Sequence, residues 1–231
     1  SVVSLNVGAT INDLNISVGD RLGVNNNTSL TILGNVTNDG ILGLNSGGNP
    51  SDLRIGPATT FSGAGTLTLS NNGQNRIYGN SGSTTEVLTN TATHTIQGSG
   101  QLGLNQMGLN NQGLIVATQS NALTIDLSDG AGITRTNTGT LRAAGGQLTI
   151  TGTNLNNTGG VIDAVGTNVA ISGSTITGGT LQSSAGGKLL VQNSSNLANV
   201  SNTGQLELAN AQTGLLTGTF TNNGNLQMAS G

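Results

Sequence analysis

The chain has 231 residues, of which 33% are hydrophobic, 1% aromatic and 6% charged. This apolar content is enough for a continuous core and excludes a disordered chain, but the near absence of aromatic residues indicates a narrow core of aliphatic side chains. The formal net charge is −3 and the six basic residues are dispersed, so no cluster could neutralise several phosphates and nucleic-acid binding is excluded.

A short strand motif recurs from the first residues onward, in the form apolar residue, spacer, apolar residue. It reads "SLTI" at 29–32, "DLRI" at 52–55 and "QLTI" at 147–150. The mean spacing between copies is about 23 residues, within the range of solenoid repeats. The first inward-facing residues are predicted to be Leu5, Leu30, Leu53, Ile77, Leu102, Leu123, Leu148, Val169, Leu189 and Leu215.

A second motif follows in most repeats, with Asn or Gly placed before alternating apolar positions. Its copies are "NDGILGL" (38–44), "GAGTLTL" (63–69), "NQGLIVA" (111–117), "NTGTLRA" (137–143), "TGGTLQS" (177–183), "NTGQLEL" (202–208) and "NNGNLQM" (222–228). A third short strand is expected between the two motifs, for example at 153–156 and 219–221. Stacked copies of the asparagine are expected to form an amide ladder along the repeat axis.

Two or three short strands in each repeat leave no room for a covering layer, so like strands of successive repeats must pair in parallel. The sequence therefore predicts an all-β protein, a right-handed parallel β-helix (β-solenoid) of about ten coils. We expect one domain over residues 1–231 that is a segment of a longer array, with an irregular loop excursion around 71–98. Outward-facing positions are expected to be Arg54, Arg142, Asp163, Gln182 and Glu207.

The phrases "GGQLTITGTNLNNTGGVIDAVGT" and "VSNTGQLELANAQTGLLTGTFTNNGNLQMASG" resemble repeats of filamentous-haemagglutinin-like adhesins and autotransporter passenger domains. The resemblance runs over the whole chain. It implies a rod displayed outside a bacterial cell, with a structural role in adhesion, filaments or a biofilm matrix. The implied partners are copies of the chain or adjoining repeats stacked end to end, and host or matrix surface glycans or proteins.

Residues able to perform catalysis or bind metal are few, and we expect neither a catalytic site nor a cofactor. Asp126 and Asp129 are the only close acidic pair, and we regard them as weak metal candidates because Ca²⁺ requires six to eight oxygen ligands. His94 is the only histidine and is expected at an ordinary surface or edge position. Cysteine is absent, which excludes thiolate metal sites, and no apolar run is long enough to span a membrane.

Three function classes remain open at this stage. The first is a structural or adhesive rod, which needs only length and stiffness. The second is a carbohydrate-active β-helix enzyme, which would require two or more acidic residues from adjacent coils in one cleft. The third is an ice- or surface-binding solenoid, suggested by the Thr-x-Thr triplets at 136–140, 149–153 and 217–221.

Overall fold

The computed structural model describes residues 1–82, 85–209 and 212–228. Within these ranges the chain forms short β-strands joined by turns, and the strands assemble into three parallel sheets, A, B and C. The described residues form no helix that is long and apolar enough to cross a membrane.

Each turn of the chain contributes one strand to each sheet, so every third strand belongs to the same sheet. Sheet A contains β1 (Val2–Leu5), β4 (Arg21–Asn25), β7 (Ile41–Asn45), β10 (Thr66–Leu69), β13 (Thr95–Gly98), β16 (Leu114–Ala117), β19 (Thr140–Ala144), β22 (Val161–Val165), β25 (Thr180–Ser184), β28 (Ser201–Asn202) and β31 (Thr221–Asn222). Sheet B contains β2 (Ala9–Ile11), β5 (Thr28–Ile32), β8 (Ser51–Ile55), β11 (Asn75–Gly79), β14 (Gly100–Gly103), β17 (Leu123–Ile125), β20 (Leu148–Thr151), β23 (Val169–Ser172), β26 (Leu189–Gln192), β29 (Gln205–Leu208) and β32 (Asn225–Met228). Sheet C contains β3 (Leu14–Ile16), β6 (Val36–Asn38), β9 (Ala58–Ser62), β12 (Val87–Asn90), β15 (Gly108–Asn111), β18 (Arg135–Asn137), β21 (Asn154–Asn156), β24 (Thr175–Thr177), β27 (Ser195–Ala198) and β30 (Gly214–Thr217).

The predicted β-solenoid is confirmed, with about 11 turns of about 21 residues in place of ten turns of 23. Right-handed winding is the hand that parallel crossover connections almost always take. At about 4.8 Å for each turn, the rod is roughly 50 Å long.

The core is a column of aliphatic side chains that point inward from all three sheets. In sheet B the predicted positions are in register, since Leu123 pairs with Leu148 and Leu148 with Val169. Eight of the predicted inward residues, all buried in sheet B, are Leu30, Leu53, Ile77, Leu102, Leu123, Leu148, Val169 and Leu189. Alternation with outward residues follows from the two-residue period of a strand.

One of the ten predicted inward positions is wrong, because Leu215 lies in β30 of sheet C with 54% of its surface exposed. Leu5 is half-buried and packs against the core, but it lies in β1 of sheet A and not in sheet B. The last two copies of the second motif also belong to sheet B, as β29 and β32, while the earlier copies form sheet A. The difference follows from the short strands β28 and β31. Each of them supplies the strand of sheet A with only two residues, so the apolar strand that comes next in the motif lies in sheet B.

The predicted third strand is confirmed near 153–156, where β21 pairs in sheet C. Near 219–221 a third strand also forms, but it is displaced, because Thr219 and Phe220 precede it and β31 begins at Thr221, in sheet A. The segment 71–98, predicted as irregular, contains β11, β12 and β13, with its longest connection between β11 and β12. Residues 83 and 84 of that connection lie outside the described residues.

Asparagine side chains form the predicted amide ladder along one corner of the rod. Asn90 Nδ2 donates to Asn111 Oδ1 at 2.8 Å, and Asn111 Nδ2 donates to Asn137 Oδ1 at 2.7 Å. Asn137 continues the series to Asn157 at 2.7 Å. Each amide also donates to a backbone carbonyl of its own turn, as from Asn111 to Gly113 at 3.2 Å. The buried amide groups of Asn90, Asn111 and Asn137 are therefore satisfied by protein partners, without water.

Candidate functional site

The acidic pair Asp126 and Asp129 lies in the turn that follows β17. Burial and then the charge of Asp129 raise the pKa of Asp126 above its usual value. The carbonyl oxygens of Ser128 and Gly130, which a cation would need, already accept from the Arg135 guanidinium. The described residues contain no group of three or more His, Cys, Asp or Glu side chains that could hold a metal ion.

His94 is fully buried, so the predicted surface or edge position is wrong. Its ring lies 5.4 Å from that of Phe61, centroid to centroid. Asn38 Nδ2 lies 3.1 Å from His94 Nε2 while Asn38 Oδ1 accepts from Gly40 N, so the amide group donates to the ring. The other ring nitrogen, Nδ1, therefore carries the proton and donates to Asn90 Oδ1 at 2.7 Å. His94 belongs to the amide ladder, a role that spacing alone did not reveal.

The Thr-x-Thr triplets do not form one rank. Thr136 lies in sheet C and Thr140 in sheet A, while Thr149 and Thr151 lie in sheet B beside Thr153, which is buried. The next turn places Ala170 and Ser172 beside the sheet B pair. The third triplet is divided in the same way, with Thr217 in β30 and Thr221 in β31.

Three acidic side chains pair with basic residues of a neighbouring turn instead of with a second carboxylate. Asp163 accepts from Arg142 Nε at 2.8 Å, and Glu207 accepts from Lys188 Nζ at 2.8 Å. Asp163 faces outward as predicted, yet only 5% of its side chain is exposed because Arg142 covers it. The third pair is Asp52 with Arg76, and it is part of a larger cluster.

The cluster comprises Asp52 and Arg54 on β8, and Arg76 and Tyr78 on β11. These are outward positions of two adjacent strands, and the register places Asp52 beside Arg76 and Arg54 beside Tyr78. Arg76 donates to both carboxylate oxygens of Asp52, from Nε at 2.7 Å and from Nη2 at 2.8 Å. Such a two-bond contact fixes the plane of the guanidinium group as well as its position.

The Asp52 carboxylate receives two further donors. The Tyr78 hydroxyl donates to Oδ2 at 2.8 Å, and Arg54 Nη2 lies at the longer distance of 3.3 Å from the same oxygen. Burial opposes ionisation of Asp52, but the bonds from Arg76, Tyr78 and Arg54 outweigh it, and its pKa is lowered. The guanidinium carbons of Arg54 and Arg76 each lie 5.6 Å from the centre of the Tyr78 ring. Tyr78 therefore positions both arginines.

Beside this cluster is a surface depression of about 250 Å³, which we name the arginine groove. Its lining residues are Asn27, Thr28, Ser29, Pro50, Asp52, Arg54 and Arg76. Arg54 Nε is buried and has no hydrogen-bond partner. With two arginines and one aspartate, the groove carries one positive charge on a chain whose net charge is negative.

Sequence reasoning placed Arg54 on the outer face but did not associate it with Asp52, Arg76 or Tyr78. A signal was present, because "DLRI" and "NRIYG" carry charged and aromatic residues at the spacer positions of two successive copies of the strand motif. Reading the outward residues across neighbouring copies would have brought the four side chains together.

The chain matches no protein-family model, no curated protein and no solved structure. The fold, a β-solenoid of three parallel sheets, is compatible with β-helix repeat proteins in general.

Proposed function

We propose that this chain is a structural and adhesive rod of a bacterial cell surface or extracellular matrix, which acts by attachment and not by catalysis. The observation that carries the proposal is the stack of three parallel sheets around one aliphatic core. A stack of this kind has length and repeated outer faces, which are the properties that attachment requires. The resemblance of its repeats to haemagglutinin-like adhesins and autotransporter passengers supports the same function.

The outer faces support the proposal through their chemistry. Charged residues are 6% of the chain, and the ion pairs of Asp52, Asp163 and Glu207 each join neighbouring turns. Low charge leaves little repulsion between the rod and another surface, so close contact over many turns is favoured.

Contact at the ends of the rod is part of this proposal. The resemblance of the repeats to those of adhesins implies partners stacked end to end, as copies of the chain or as adjoining repeats. The parallel pairing of like strands can continue across such a contact. Electron microscopy of native material should show threads longer than the roughly 50 Å of the eleven turns. Discrete short particles at high protein concentration would contradict end-to-end contact.

Two measurements test the function itself. Antibodies against the chain should label intact cells of the producing organism, and labelling only after permeabilisation would contradict a surface location. Beads coated with the chain should be retained in a flow chamber by matrix-coated glass more strongly than beads coated with an inert protein at equal density. Release of reducing sugar ends from pectin or polygalacturonate by the purified chain would instead favour the enzyme alternative.

A further inference from the structure

The arginine groove contains hydrogen-bonding capacity that the protein itself does not use. A guanidinium group has five N–H donors. Arg76 directs two of them at Asp52, and Arg54 directs one at the longer distance of 3.3 Å. Arg54 Nε is buried without an acceptor, which is costly for a charged donor, while 39% of the Arg54 side chain is exposed and open to a ligand.

The net positive charge of the groove indicates that its ligand is negatively charged. Asp52 neutralises one of the two arginines, so a ligand with one negative charge balances the groove. A planar carboxylate offers two acceptor oxygens in the geometry that a guanidinium group prefers. Asp52 also holds Arg76 in place before a ligand arrives, which reduces the entropy lost on binding.

The other residues that line the groove indicate the chemistry and size of the part of the ligand beyond its carboxylate. Asn27 and Ser29 bring an amide and a hydroxyl group to the lining, Thr28 is buried, and Pro50 is the one residue of the lining without a polar side chain. A volume of about 250 Å³ is below the range of about 300–1,000 Å³ typical of pockets for drug-sized ligands, and suits a single sugar residue. Sugar hydroxyls would meet the polar side of the groove while the carboxylate meets the arginines.

We infer that the arginine groove binds the carboxylate of a uronic-acid residue in an acidic saccharide. The inference rests on the proposed adhesive function, since it names the surface chemistry to which this part of the rod attaches. An acidic peptide would also bring a carboxylate, but the carbon atoms of its side chains would meet a lining in which six of the seven residues are polar or charged.

The test is a titration of the 231-residue chain with sodium D-glucuronate at constant ionic strength and neutral pH, followed by NMR of the arginine Nε–Hε groups. The chain has five arginines, so each signal can be assigned by single substitution. We expect saturable shifts of Arg54 and Arg76 but not of Arg142. Methyl glucoside, which lacks the carboxylate, should cause no shift, and sodium acetate, which lacks the hydroxyls, should bind several-fold more weakly than glucuronate.

Arg54→Gln should weaken glucuronate binding about tenfold or more, because it removes a charged donor. Arg142→Gln is the matched control, since Arg142 is also an outward arginine paired with an aspartate, but on sheet A and outside the groove. It should leave the affinity unchanged. Circular dichroism of both variants checks that the sheets are retained, and the shifts of the unmodified chain test the site even if a variant fails to fold.

Three results would overturn the inference. These are the absence of saturable shifts at Arg54 and Arg76, equal binding of acetate and glucuronate, or tighter binding of a Glu-containing dipeptide than of glucuronate. Failure here is distinguishable from failure of the adhesive function, because coated beads would still be retained in flow while the groove showed no affinity for glucuronate.

Discussion

Leu148 and Thr149 are neighbours on β20 but lie on opposite faces of sheet B. Leu148 is fully buried between Leu123 and Val169, while Thr149 is partly exposed. Leu148→Asp should lower the free energy of unfolding by several kcal/mol, about 3 or more, because an unpaired carboxylate enters an apolar core. Thr149→Asp should change it by less than about 0.5 kcal/mol. Chemical denaturation measures both, and equal midpoints would show that the two faces are assigned wrongly.

Inward leucines could be predicted residue by residue because a strand has a strict two-residue period. Leu30, Leu102 and Leu148 follow that rule. His94 could not be predicted, because its burial depends on Asn38, which is 56 residues away in the sequence and donates to one ring nitrogen. Asn90, four residues away, accepts from the other ring nitrogen. Position along one strand contains no information about such a partner.

Because of His94, the free energy of unfolding of the rod should depend on pH. Burial lowers its pKa from 6.5 to about 4, so the unfolded chain binds a proton at a higher pH than the folded chain does. Stability should therefore be complete above about pH 6.5 and should fall by roughly 3 kcal/mol as the pH decreases to 4. In addition, protonation would place an N–H of the ring against the amide donor of Asn38.

The measurement is the urea midpoint at several pH values between 7 and 4. His94→Gln should abolish most of the slope between pH 6.5 and 4.5, because His94 is the only histidine of the chain. Asp52 and Glu207 have lowered pKa values, so their contributions are lost only at more acidic pH. An unchanged slope in the variant would contradict a buried neutral imidazole.

At the scale of the strand and its turn, glycines set how closely successive turns approach. A Cβ atom on Gly139 would lie 2.1 Å from the carbonyl oxygen of Gly113 in the preceding turn. Gly139→Ala should therefore cost about 1–3 kcal/mol, the range for overpacked sites. Gly73 is the control, because a Cβ there would have no heavy atom within 4 Å and its φ is not positive. Gly73→Ala should be neutral, and equal melting temperatures for the two variants would disprove the close approach.

Strands were predicted well where apolar and polar residues alternate in the sequence. The sheet to which a strand belongs was predicted poorly where it depends on the lengths of the preceding strand and turn. The motif at 137–143 formed β19 as expected, but its copy at 202–208 became β29 of a different sheet. The arginine groove was missed for a related reason. Arg54 and Tyr78 belong to different turns, so their contact exists only once the register between turns is known.

For the whole molecule, stability is a sum over neighbouring turns, so the turns at the two ends have one stacking partner instead of two. Backbone amides of β1, β2, β31 and β32 should exchange with deuterium first, and those of β16 to β20 last. Hydrogen exchange followed by mass spectrometry of peptic fragments checks this order. Uniform protection along the chain would instead mean that the eleven turns open as one cooperative unit.

The hydrogen bonds between turns point along the rod axis, and this direction governs the response to pulling. Tension applied at the ends loads the bonds of one terminal turn at a time. Release of one turn frees about 21 residues, which extend to roughly 70 Å where the folded turn occupied about 4.8 Å. A rod attached as we propose would therefore lengthen stepwise under shear and dissipate mechanical work in each step, while the turns that remain folded would stay in contact with the surface.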